Sequence, residues 1–174
     1  MVEQIGQTVG IVAMIVAFLS YQAKTTKGIA AVQSISGSLF AVHFFMLGAY
    51  SGFAMNIFGI VRNLFYVYGK KKWSSHIAAP ITFCAIFAVA GVLSWVDTFS
   101  ILPTVGMAVS SFTYWMDNAK IGRRLCLITS ACWLAYNIHC GAIGAILVET
   151  FSIPSILIAI VRYDLLKKNA GGKA

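Results

Sequence analysis

Seven apolar runs, each close to the length that crosses a lipid bilayer, constrain this chain more than any other feature. They are Ile5–Tyr21, Ile29–Ala49, Gly52–Tyr68, Ile77–Trp95, Phe99–Met116, Leu125–Cys140 and Ala142–Tyr163. A helix needs about 20 apolar residues to span roughly 30 Å of hydrocarbon. Backbone groups find no water there, and none of the runs alternates with the period of a strand, so each is expected to be helical. The expected fold class is therefore an all-α polytopic membrane protein with seven transmembrane helices. Composition agrees, with 59% apolar and 10% charged residues and a mean hydropathy of +0.83, against about 45–50% and about 25% in soluble domains. No polar stretch is long enough to form a separate soluble domain. The amino terminus has no basic region and Glu3 precedes the first run, so that run reads as a permanent span rather than a cleavable signal.

The charges sit between the runs. Lys24 and Lys27, then Lys70, Lys71 and Lys72, then Lys120, Arg123 and Arg124 occupy alternate connections, and Lys167, Lys168 and Lys173 lie in the tail. The connections around Tyr50, Asp97 and Gly141 carry no Lys or Arg. Basic loops stay on the cytoplasmic side, so the expected orientation is amino terminus outside and carboxyl terminus inside. The net charge of +8 is thus a topology signal rather than a nucleic-acid surface. Cys84, Cys126, Cys132 and Cys140 all lie in apolar spans without a CxxC spacing, so they read as small filler residues, and no metal or cofactor is expected.

The chain also echoes itself. Thr-Val-Gly occurs at Thr8–Gly10 and again at Thr104–Gly106, an offset of 96. Phe40, His43 and Gly48 align with Trp133, Tyr136 and Gly141 at an offset of 93, and Ile-Val-Arg at 60–62 recurs at 160–162. These matches suggest a triple-helix repeat over residues 5–69, a linker helix over 77–95, a second triple-helix repeat over 99–163 and a cytoplasmic tail over 164–174. An odd linker gives the two triplets the same orientation, as parallel repeats about an axis along the membrane normal.

Polar residues inside the runs are the candidate working parts, because a charge at the bilayer centre costs at least about 2.5–3.5 kcal/mol and normally faces an interior or a wet cavity. Gly52, Asn56, Gly59, Asn63 and Tyr66 share one helix face. That face reads either as a close-packing stripe or as a substrate lining. Trp133 and Asn137, four apart, place an aromatic platform beside an amide. His43 and Phe40 occupy the corresponding stretch of the first repeat. Glu149 stands eight residues after Gly141, as Asn56 stands eight after Gly48, and is expected to face the interior, with His43, Arg62 or Arg162 as candidate partners. Arg62 lies deep enough to need a partner, whereas Arg162 is near enough to Lys167 to snorkel. Pro103 and Pro154 are expected to break helix hydrogen bonds in the fifth and seventh spans, as static kinks or as hinges.

The stretch VHFFMLGAY with Asn56 and Arg62, then LPTVG, then CWLAYNIHCGAIGA with Glu149 and Ile160–Arg162, resembles the YgjV-type bacterial inner-membrane proteins over nearly the whole chain. That resemblance implies the bacterial inner membrane. The layout of three, one and three helices is also similar to the SWEET, PQ-loop and PnuC-like transporters. Those carry small solutes between two triple-helix bundles, with Trp and Asn on the repeated helices. Trp133, Asn137 and Asn56 match by type, but the chain lacks a Pro-Gln dipeptide and has Glu149 where a symmetric site would have a second Asn.

Two readings follow. One is a transporter or facilitator for a small polar or cationic solute, bound among Phe40, His43, Asn56, Asn63, Trp133, Asn137 and Glu149, with Glu149 as a candidate proton or cation site. The other is a non-transporting scaffold or sensor in which the same residues only join helices. No HExxH motif, Ser/His/Asp set or pair of carboxylates points to an enzyme. The expected partners are the lipid bilayer and the solute, with no nucleic acid and with homo-oligomerisation left open.

Overall fold

The computed structural model describes residues 2–20, 26–116 and 118–166. These are helical almost throughout, with no strand among them. The helices are α1 (Val2–Ser20), α2 (Thr26–Met46), α3 (Tyr50–Tyr68), a single turn α4 (Lys71–Ser74), α5 (Ala78–Leu93), α6 (Ile101–Trp115), α7 (Ala119–His139) and α8 (Ile143–Ile160). A π-helical turn, Val161–Leu166, extends α8. Lys24 and the tail residues Lys167, Lys168 and Lys173 lie outside the described residues.

Helix α7 starts well before the apolar run at Leu125. The Asn118 side chain accepts from the backbone N–H groups of Lys120 and Ile121 at 3.1 and 3.2 Å, so a local cap begins the helix inside the basic segment. Pro103 does not interrupt a helix. It falls in the first turn of α6, where an amide N–H has no intrahelical partner to lose. Pro154 is inside α8, on an exposed face.

Neighbour contacts close six helices into a ring: α1 against α2, α2 against α3, α3 against α6, α6 against α7, α7 against α8, and α8 back against α1. Helix α5 stands outside, packed on α3 and α6. The bundle is apolar on its exterior, where Leu93 and Val92 of α5 and Ile158 and Phe151 of α8 are more than half exposed. It is polar within, where His43, Arg62, Asn137, Ser110 and Ser111 are buried. That inversion of a soluble fold is what a hydrocarbon surround requires. Two helices, Val2–Ser20 and Ile143–Asp164, are long and apolar enough by themselves to cross a bilayer.

The corners after α2 and α7 are built identically. Gly48 and Gly141 both have positive φ, 71° and 65°, which a side chain resists and glycine does not. Ala49 N–H donates to Phe44 O and Ala142 N–H to Asn137 O, each at 2.9 Å, the six-to-one bond of a Schellman ending. The bonds from Leu47 to His43 and from Cys140 to Tyr136 repeat the correspondence at 3.1 and 3.0 Å. These corners define one end of the ring. The opposite end carries Lys70, Lys71, Lys72, Lys120, Arg123 and Arg124 and is called here the basic end.

Candidate functional site

At the corner end the ring is shut. Phe44, Ala49, Tyr136, Ala142 and Ala145 form a buried plug. The Tyr136 hydroxyl accepts from Gly52 N–H at 3.0 Å, tying α7 to the first turn of α3. Gly144 lies directly on the Gly10 backbone, so α8 and α1 touch without an intervening side chain. Gln7 closes the same seam, donating to Gly141 O at 2.7 Å and accepting from Ile143 N–H at 3.2 Å. Above the plug the His139 ring stacks on Phe99 with centroids 3.9 Å apart and bonds Asp97 at 2.7 Å. That hydrogen bond holds the Asp97 carboxyl below its ordinary pKa.

Beneath the plug lies a cavity of about 290 Å³. It continues into a second chamber of about 690 Å³, and Arg62, Met107, Tyr114, Trp133 and Glu149 wall both. Its roof is Phe44 and Ala145, and its wall descends to Tyr114 in the last turn of α6, which is 41% exposed. The space thus ends at the plug and extends toward the basic end.

Each wall is one helix face. Gln33, Gly37, Phe40 and Phe44 come from α2 at steps of four, three and four; Asn56, Gly59 and Asn63 come from α3 at steps of three and four. Trp133 and Asn137 project from α7, and Ala145, Val148 and Glu149 from α8. The Gly59 surface is filled by the Met107 methyl, 2.5 Å from where a Cβ would stand, so glycine there brings α6 close to α3.

The polar groups differ in how they are satisfied. Asn56 donates to Gly52 O at 2.9 Å. Arg62, 4% exposed, donates to Asn63 Oδ1 at 3.0 Å, to Met107 O at 3.2 Å and to the Ser110 hydroxyl. Its guanidinium lies 4.7 Å from the centre of the Tyr114 ring and 5.5 Å from that of Phe87. Asn137 Oδ1 and Glu149 Oε2 are buried with no hydrogen-bond partner. Ser130 is the polar side chain beside Glu149. Among the described residues the ion pairs are Arg123 with Asp164 and His139 with Asp97, so neither Arg62 nor Glu149 is in one.

Of the residues singled out from sequence, Phe40, Asn56, Arg62, Asn63, Trp133, Asn137 and Glu149 meet around this cavity. His43 does not. Its ring is fully buried against Gly10, with Nδ1 2.7 Å from Gly6 O, so it fills a slot between α1 and α2 made by the α1 glycines. None of His43, Arg62 and Arg162 forms an ion pair with Glu149. Arg162 lies in the π-helical turn at the basic end, exposed and 5.4 Å from the Tyr163 ring centre. The Ile-Val-Arg match therefore does not relate equivalent positions. Tyr66 leaves the Asn56–Asn63 face for a cluster with Phe83 and Tyr114. Gln33, Phe44 and Tyr114 were missed. Phe44 and Gln33 lie at helical spacing from Phe40, which marks their face, but nothing in the chain distinguishes that face from a packing stripe.

An apolar-jacketed helical ring around a polar interior defines an integral membrane protein. The profile of the bacterial inner membrane protein family Imp-YgjV matches residues 4–167, and the chain belongs to that family. It is similar to the inner membrane protein YgjV of Escherichia coli (strain K12), 22% identical over 164 residues, covering 94% of this chain and 87% of that protein. No solved structure matches.

Proposed function

We propose that the protein is a transporter or facilitator that passes a small polar solute across the inner membrane through the central cavity. The observation that carries this reading is the cavity itself, which sets Asn56, Arg62, Asn63, Asn137 and Glu149 among apolar side chains, is closed by the plug at one end and extends toward the basic end. A scaffold has no use for such a space, since helices glued by amides pack most firmly when dry. Nothing in the wall suggests bond-making chemistry, so translocation rather than catalysis is the proposed activity.

The reading includes the topology. With basic connections on the cytoplasmic side, the plug faces the periplasm and the cavity faces the cytoplasm, the amino terminus being outside and the carboxyl terminus inside. It also includes two parallel triplets, α1–α3 and α6–α8, with α5 as linker. The identical glycine corners support this, as do the two junctions α1–α8 and α3–α6, each pairing the first helix of one triplet with the last of the other. That arrangement is SWEET-like, with alternating access by rocking of one triplet against the other.

The test is reconstitution. Purified protein in proteoliposomes is assayed for uptake of labelled sugars, amino acids and vitamins, alongside a thermal-stabilisation screen. A ligand at one hundred times its dissociation constant raises stability by about 2.7 kcal/mol. The expected result is one solute class that both stabilises and enters, with Asn137→Ala weakening it. Absence of uptake and of stabilisation across all classes refutes the reading.

A further inference from the structure

We infer that the solute is a zwitterion carrying a primary or secondary ammonium and a carboxylate, of roughly amino-acid size; this rests on the transport reading above. The cavity wall holds one fixed positive charge, on Arg62, and one carboxyl, on Glu149, and the two do not pair with each other. Arg62 on α3 is 4% exposed, yet each of its partners is neutral: a carbonyl, a hydroxyl, an amide oxygen and two aromatic faces. A guanidinium is never deprotonated in a protein, so this part of the wall keeps a full positive charge. Glu149 on α8 borders the same two chambers, and its Oε2 is buried without a donor. Asn137, 1% exposed on the neighbouring helix, presents a second unpartnered acceptor, Oδ1, to the first chamber.

Two acceptors lacking donors call for a group rich in N–H, and an ammonium has up to three. Trp133, one turn before Asn137, adds an aromatic face suited to a cation. The Arg62 side calls for an anion because its charge faces none. Nε and Nη2 turn to Asn63 Oδ1 and Nη1 to Met107 O and the Ser110 hydroxyl, so the attraction is that of an uncompensated charge rather than of a free donor pair. A singly charged solute compensates one wall and leaves the other unmatched and desolvated. A solute with both groups compensates both and adds no net charge to the interior. At about 290 Å³ the first chamber lies at the small end of ligand sites, which run from about 300 to 1,000 Å³.

The experiment uses purified full-length protein in nanodiscs at neutral pH, with binding read by calorimetry and uptake read in proteoliposomes. The probes are glycine, L-alanine, γ-aminobutyrate and 5-aminovalerate, the amide of each (cation only), the deamino acid of each (anion only), glycine betaine and glucose. The expected result is a zwitterion that binds at least tenfold more tightly than its own amide and its own deamino acid, with betaine, which lacks N–H, also weaker. Glu149→Gln should lose that tenfold preference while retaining the deamino acid, and this variant is isosteric enough to fold. Arg62→Gln should do the reverse. The proposal is overturned, with the transport reading intact, if glucose or a singly charged probe binds and enters as well as any zwitterion. It is equally overturned if Glu149→Gln leaves the zwitterion preference unchanged. Failure of every probe, together with failure of the wider solute screen, sinks the transport reading itself.

Discussion

Replacing Tyr136 with Phe removes one atom from the plug and isolates one hydrogen bond. The ring is 3% exposed, with centroids 6.0 Å from Phe44 and 6.1 Å from Trp133, and Phe keeps all of that packing. What disappears is the acceptor for Gly52 N–H at 3.0 Å. Gly52 lies in the first turn of α3, where no carbonyl one turn back takes its N–H. The position is buried, so water does not replace the hydroxyl. A buried donor left unpartnered costs about 1–3 kcal/mol, more than the roughly 0.5–1.5 kcal/mol that a typical hydrogen bond contributes net. Tyr136→Phe should therefore lower unfolding stability by about 1–3 kcal/mol, measured by denaturant titration of the purified protein in micelles. Tyr50→Phe serves as control. That ring is 49% exposed, and a surface change of this kind shifts stability by less than about 0.5 kcal/mol. If the two variants unfold together, the hydroxyl does not tie α7 to α3 and the account of the plug is wrong.

Two glycines should fail for different reasons in the same titration. A Cβ at Gly144 would strike the Gly10 carbonyl and stand 2.9 Å from Ile11 N, backbone that does not rotate aside, so Gly144→Ala should cost about 1–3 kcal/mol by forcing α1 from α8. Gly48 has open space around it, and Gly48→Ala should cost about 1–2 kcal/mol through its left-handed backbone alone, with Gly48→Asn recovering most of that. Equal losses for Gly48→Ala and Gly48→Asn would contradict the conformational argument. A third prediction concerns acid. The bond to His139 holds the folded Asp97 carboxyl below its ordinary 3.8, so as pH falls the unfolded chain takes up the proton first. The stabilisation is complete above 3.8 and drains away below it. Melting temperatures of wild type and Asp97→Asn should differ at about pH 6 and converge toward about pH 2.5; a gap independent of pH would refute the assignment.

The helices themselves were legible because hydropathy reports the solvent each run must meet, and in lipid only a helix satisfies the backbone. Their ends were less so. Asn118 starts α7 by a local hydrogen bond within a charged segment, where hydropathy carries no signal. The glycine corners were readable from Gly48 and Gly141, since a left-handed turn is a property of one residue and its two torsions. Polar residues stranded in apolar runs drew notice for the same local reason. What each one faces was decided elsewhere. His43 and Glu149 give the same signal along the chain, yet the glycines of α1 open a slot that takes the imidazole, while Glu149 borders a space that several other helices line. Arg62 and Arg162 end the same tripeptide, but one lies within the ring and the other on a turn beyond it. Periodicity assigns a residue to a face of its own helix. Which neighbour covers that face, and whether it is covered at all, depends on contacts between helices far apart in the chain. The cavity is such a property: it belongs to the ring and to no single helix in it.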